Sequence, residues 1–137
     1  KSGLAQDLRA SIEELEQATK NNTGLHFQIA INYGGRDEVR RAIAGLAEKV
    51  AAGEIAPDEI DDAKIAAELD TAGLPDPDLL IRTSGEQRIS NFLLWQIAYA
   101  ELYFTSVPWP DFDKNELAKA VEAYQNRDRR YGLVKEE

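Results

Sequence analysis

The stretch LLIRTSGEQRISNF, Leu79–Phe92, sets Arg82 directly behind three apolar residues and brings Arg88 in a short loop further on. Charged residues rarely go inside unpaired. Two guanidiniums and the Ser90 hydroxyl are directed donors of the kind that suits phosphate oxygens. A diphosphate, with two adjacent phosphates, matches two arginines better than a carboxylate does. The ordinary alternative is a surface network in which either arginine pairs with Asp76, Asp78 or Glu86. Spacing alone leaves both readings open. A second ligand-type loop is Asn32-Tyr33-Gly34-Gly35-Arg36. Its glycines allow close backbone approach, and the helix it opens would favour an anion. No Lys-Ser/Thr follows the glycines, so it is not a nucleotide-hydrolase phosphate loop, and a plain strand-to-helix turn is the stronger reading.

Other residues could carry chemistry. Glu101 opens ELYF after an apolar run; a carboxylate in such company needs an ion-pair partner or a metal. His26 is the only histidine and falls within a strand-like alternation, which reads as structural. Arg127, Arg129 and Arg130 crowd the end of the last helix, where they complement its macrodipole. DDAKI, 61–65, lacks the closing Asp of the magnesium motif DDxxD.

The elements that position these residues follow from periodicity. Leu4, Leu8, Ile12 and Leu15 fall at helical spacing and predict a helix over about residues 3–20. LHFQIAIN, 25–32, alternates and predicts a strand. Asp37 caps a helix with Val39, Ile43, Leu46 and Val50 inward. A short helix surrounds Ile65. LLIRT is a strand, NFLLWQIAYA a buried helix and ELYFT a short strand. Pro108 and Pro110 stiffen a turn, and Asp113 caps a last helix with Leu117, Val121 and Tyr124 inward. Strands alternating with helices predict an α/β fold, a mostly parallel sheet flanked by helices. In such sheets ligands bind beyond the carboxyl ends of the strands, where both loops fall.

The 137 residues support one core, so residues 1–137 are expected to form a single domain. A net charge of −9 argues against non-specific binding to nucleic acid or anionic lipid. Absence of cysteine removes disulfides, thiolate metal sites and cysteine nucleophiles. No apolar run approaches a membrane span. The chain has no methionine, so Lys1 reads as a position within a longer protein.

NYGGR, PDPDLLIRTSGEQRISNFLLWQIAYAELYF, WPDF and the closing RRYG resemble the C-terminal half of a cis-prenyltransferase, most closely of the undecaprenyl diphosphate synthase type. The resemblance implies condensation of isopentenyl diphosphate with an allylic diphosphate, usually farnesyl diphosphate, to give a cis-polyprenyl diphosphate with Mg²⁺ as cofactor. By resemblance, Arg82, Arg88 and Ser90 hold the diphosphate of isopentenyl diphosphate, and Glu101 serves the metal. Arg130 and Gly132 match an Arg-x-Gly motif that reaches the same substrate across a homodimer interface. The location implied is cytoplasmic, peripheral to the membrane that the lipid product enters. The family's N-terminal half, with its His-Gly-Asn-Gly-Arg-Trp segment and catalytic aspartate, has no counterpart in the sequence. Activity of this chain alone is therefore not expected. Two other readings stand beside this one: a non-catalytic partner subunit of the same ancestry, and an unrelated α/β module for a phosphorylated metabolite.

Overall fold

The computed structural model describes residues 5–127, which fall into two compact units divided after Ile31. In the first unit, helix α1 spans Gln6–Thr19 and buries none of its residues. The strand expected over 25–32 does not form. Leu25, Phe27, Ile29 and Ile31 all lie exposed, Leu25 at 90%. Alternation marks which face a strand would bury; it does not supply the hydrogen-bonded neighbour that a strand requires. The described residues of this unit contain a helix and no strand to pair with.

The second unit carries α2 (Gly35–Ala51), α3 (Asp62–Ala67), β1 (Leu79–Arg82), β2 (Glu101–Phe104) and α4 (Lys114–Gln125). Single 3₁₀ turns at Pro57–Glu59 and Trp109–Asp111 punctuate it, each with a proline in its first turn. The two strands pair in parallel, Leu79 opposite Glu101 and Arg82 opposite Phe104. The α/β class expected from the alternation is therefore present, as a two-stranded parallel sheet accompanied by helices.

The crossover between the strands departs from expectation. Residues 92–100 form a chain of tight turns rather than a buried helix. Ser90, Asn91 and Leu93 hold left-handed backbone, with φ of 49°, 63° and 46°. Such residues cannot nucleate a right-handed helix. Only Ile97 then donates four residues back, to Leu93 at 3.0 Å; Phe92, Ala98 and Ala100 donate three back. Burial is uneven too. Gln96 and Ile97 are buried, whereas Tyr99 is 79% exposed.

The core of this unit combines Ala42 and Leu46 of α2 with Leu69, Leu80, Ile97 and Ala120. Helix α2 is turned from its expected face: Glu38, Ala42 and Leu46 go inside and Ile43 stays out. It also begins at Gly35 rather than after Asp37. Asp37 instead joins the first turn, where a negative charge suits the helix dipole. Asp113 caps α4 as its type and position predict, accepting from the N–H groups of Asn115 at 2.8 Å and Glu116 at 3.0 Å.

The Glu116 N–H, and then that of Asn115, hold the Asp113 carboxyl below its ordinary value. A lowered folded-state pKa gives stability that is present above the unfolded-state value and is lost as pH falls through the folded one. Asp113→Asn keeps a capping oxygen and loses the charge. The variant should melt below the parent near neutral pH and converge on it in strong acid. Melting curves across pH check this; a gap independent of pH refutes the charge contribution.

Candidate functional site

Parallel pairing brings the carboxyl ends of β1 and β2 to the same edge. Arg82 closes β1 there, and the loop behind it is pinned by backbone hydrogen bonds. Thr105 N–H donates to the Arg82 carbonyl at 2.9 Å, Ser84 N–H to Val107 at 2.9 Å and Gly85 N–H to Thr105 at 2.8 Å. Left-handed backbone at Ser84 and Gly85, φ 65° and 70°, makes the reversal. These N–H groups are spent on the protein, so an anion here must be met by side chains.

Arg82 is half-buried, and its guanidinium has no acceptor among the described residues. Asp76, Asp78 and Glu86 do not pair with it. Arg88 behaves differently: it is exposed and donates to Glu86. The surface-network reading thus holds for Arg88 and fails for Arg82. Ser90 is exposed on the crossover. Arg130 and Gly132 lie outside the described residues.

Asn91 fastens the crossover to α2. Gly35 N–H donates to its carbonyl at 2.7 Å and Arg36 N–H to its Oδ1 at 2.9 Å. Two N–H groups at the start of α2 are thereby taken, which agrees with reading this loop as a plain turn into the helix rather than as an anion seat. The side chain of Arg36 is exposed and, with Ile89, Asn91 and Leu94, lines a cleft of about 390 Å³. The close approach requires glycine: a Cβ on Gly35 would come within 2.8 Å of Leu94 Cγ and 3.1 Å of the Asn91 carbonyl oxygen.

Helix α2 also carries a buried polar cluster that the sequence-based expectations missed. Glu38 is fully buried and Gln96 is 2% exposed. Glu38 accepts from the Tyr33 hydroxyl, from Gln96 Nε2 at 3.1 and 3.2 Å, and from the Asp70 N–H at 2.8 Å. Burial, then the hydrogen bond to Glu38, push the Tyr33 phenol well above its usual range, so it stays a donor. The Tyr33 ring meets Phe92 edge to face at 5.8 Å. The signal was available. Glu38 sits at helical spacing before Ala42 and Leu46, and Gln96 interrupts an apolar run.

Glu101 begins β2, and Arg127 answers it: Nη1 donates to the carboxylate at 2.5 Å and Nη2 to the Leu102 carbonyl at 2.8 Å. The structural ion pair weighed for Glu101 is therefore real. No group of three or more His, Asp or Glu side chains able to hold a metal occurs among the described residues. One carboxylate already engaged by a cation does not make a Mg²⁺ site, so these residues alone do not fit the ion. His26 is exposed and belongs to the first unit.

A family model described as "Putative undecaprenyl diphosphate synthase" matches residues 1–132. The chain belongs to this family of cis-prenyltransferases. Among curated relatives, an isoprenyl transferase of Agrobacterium fabrum is 52% identical over 137 residues, all of this chain and 56% of that protein. A ditrans,polycis-undecaprenyl-diphosphate synthase of Vibrio cholerae, named as farnesyl-diphosphate specific, is 52% identical over all of this chain and 55% of its own length. The lavandulyl diphosphate synthase of Lavandula x intermedia, solved with dimethylallyl diphosphate, superposes with a TM-score of 0.93 at 42% identity, covering 96% of this chain and 57% of that one. The chain thus spans little more than half the length of these relatives.

Gly35→Ala should cost on the order of 1–3 kcal/mol, the usual range for overpacking, because the contacts include backbone that cannot swing aside. Denaturant midpoints of parent and variant measure it. An unchanged midpoint would mean that the crossover does not press on α2 as the geometry requires.

Proposed function

We propose that residues 1–137 act as the C-terminal portion of a cis-prenyltransferase and supply its site for isopentenyl diphosphate, the substrate added to an allylic diphosphate. The observation that carries this is Arg82, a half-buried cation with no acceptor among the described residues, at the carboxyl end of a parallel strand. Its fork is free to meet a phosphate bidentately. Arg88 joins it by exchanging Glu86 for the substrate, since a diphosphate carries more negative charge than one carboxylate. Ser90 adds a hydroxyl donor. These side chains bind and orient the diphosphate, holding the reacting double bond in place for attack on the allylic partner.

Farnesyl diphosphate as that partner follows the name of the Vibrio relative. A Thermoplasma volcanium relative is named for geranylgeranyl diphosphate instead, so partner length varies in the family. Product length, undecaprenyl included, goes with the complete enzyme, as does the catalytic aspartate. A homodimer in which Arg130 and Gly132 complete the neighbouring site belongs to the same reading. So does Mg²⁺, as a cofactor of the complete enzyme. No helix of the described residues is long and apolar enough to cross a membrane. A cytoplasmic enzyme working at the membrane periphery is consistent with that.

Arg82→Ala in the complete enzyme should raise KM for isopentenyl diphosphate roughly ten- to hundredfold, the loss of a charge-assisted hydrogen-bond pair. KM for the allylic diphosphate should stay within about twofold on the same argument. Arg82→Lys should recover only part, because an ammonium lacks the planar fork. Steady-state kinetics varying each substrate decide it. Equal effects on both substrates would refute the assignment.

A further inference from the structure

Arg82 and Arg88 flank one loop but stand in different states. Arg82 is half-buried and has no acceptor among the described residues, whereas the exposed Arg88 donates to the Glu86 carboxylate. The loop fixes where that carboxylate starts. Gly85 N–H donates to the Thr105 carbonyl at 2.8 Å, and Glu86 N–H to the Thr83 carbonyl at 3.4 Å. The pair itself stays open to water, with the Glu86 side chain 40% and the Arg88 side chain 61% exposed. An ion pair so exposed is weak. It adds little to stability, and a stronger anion displaces it.

A weak counter-ion inside a diphosphate site acquires a use from the reaction. During condensation the allylic carbon–oxygen bond breaks and the allylic diphosphate departs with the electron pair. A carbon–carbon bond forms to the isopentenyl unit, and a proton leaves that unit as its new double bond closes. The lengthened chain therefore keeps the diphosphate that isopentenyl diphosphate brought. A further round needs that chain as the allylic partner and a fresh isopentenyl diphosphate on the arginines. The product's diphosphate must leave Arg82 and Arg88 each time, and release steps of this kind set many turnover rates. Glu86 is tethered next to Arg88 by the same loop, so its carboxylate competes at a high effective concentration. Arg82 has no such competitor.

We propose that Glu86 is a competing anion built into the isopentenyl diphosphate site: by reclaiming Arg88 it loosens the diphosphate of the newly lengthened chain and frees that chain for the next condensation. The inference rests on the functional reading above. It adds a residue whose charge weakens binding at the site, while Arg82 keeps the hold on the incoming substrate.

The test follows the complete enzyme through single rounds. Enzyme carrying the allylic diphosphate is mixed rapidly with increasing isopentenyl diphosphate and quenched, and the chains are separated by length. Glu86→Gln keeps the shape of the side chain and removes its charge. The first condensation should reach half-saturation at isopentenyl diphosphate concentrations roughly two- to fivefold lower, the range of an exposed ion pair. The ratio of the second condensation rate to the first should fall by a similar factor, so that once-extended chain accumulates. Glu86→Asp keeps the charge on a shorter stem and should hold both values nearer the parent. A carboxylate that merely braced the loop would shift half-saturation upward when removed. Half-saturation unchanged or raised in Glu86→Gln, a second condensation that keeps pace with the first, or Glu86→Asp matching Glu86→Gln would each overturn the proposal. Arg82→Ala is measured alongside. If it raises the half-saturating concentration and Glu86→Gln does not lower it, the competing-anion role alone falls. If Arg82→Ala has no effect, the functional reading falls, and this inference with it.

Discussion

Everything near the carboxyl edge of the sheet depends on β1 and β2 running the same way. Parallel strands cannot be joined by a tight hairpin, so the chain must travel between Arg82 and Glu101 by a crossover. That crossover carries Arg88, Ser90 and Asn91. The register that sets Arg82 opposite Phe104 also lets the segment after β2 hold the loop after β1, through Ser84 with Val107 and Gly85 with Thr105. Arg82 therefore leaves the strand over backbone that is already committed. A guanidinium on so fixed a base would be organised before an anion arrived, leaving less ordering to be done on the proposed binding.

The crossover itself is organised by polar contacts rather than by helix. Asn91 closes the start of α2, and Gln96 bonds to the buried Glu38. An apolar run alone would have given a helix free to slide or rotate on α2. The turns at Ser90, Asn91 and Leu93 fix its position at the cost of backbone strain. In this division strands set the edge, and the buried Glu38 and Gln96, with Asn91, set the loop.

The legible parts of the sequence were those whose signals are local. Asp113 before an amphipathic run announced its helix, and LLIR and ELYF announced strands that do pair. Arg82 was legible as a cation behind an apolar strand. What supports its proposed role, the lack of an acceptor among the described residues while Glu86 takes Arg88, depends on three-dimensional placement. Two elements were misread because the signal was incomplete. NFLLWQIAYA has helical composition, but the left-handed residues at its start override composition. LHFQIAIN has strand alternation, but alternation does not provide a neighbour. Glu38 escaped notice because an acidic residue in a first helical turn has an ordinary explanation in the dipole, and only packing reveals that it is buried.

The exposed row of Leu25, Phe27, Ile29 and Ile31 has a practical side. The run from Leu25 to Ile31 contains no acidic residue, no lysine, no arginine and no proline. β-prone segments of this length and low charge are the ones that stack into intermolecular cross-β ladders when left uncovered. During synthesis, the interval in which this run is bare is therefore a period of exposure to misassembly. The speed with which it finds cover, as much as the stability finally reached, would govern how much soluble protein a cell recovers.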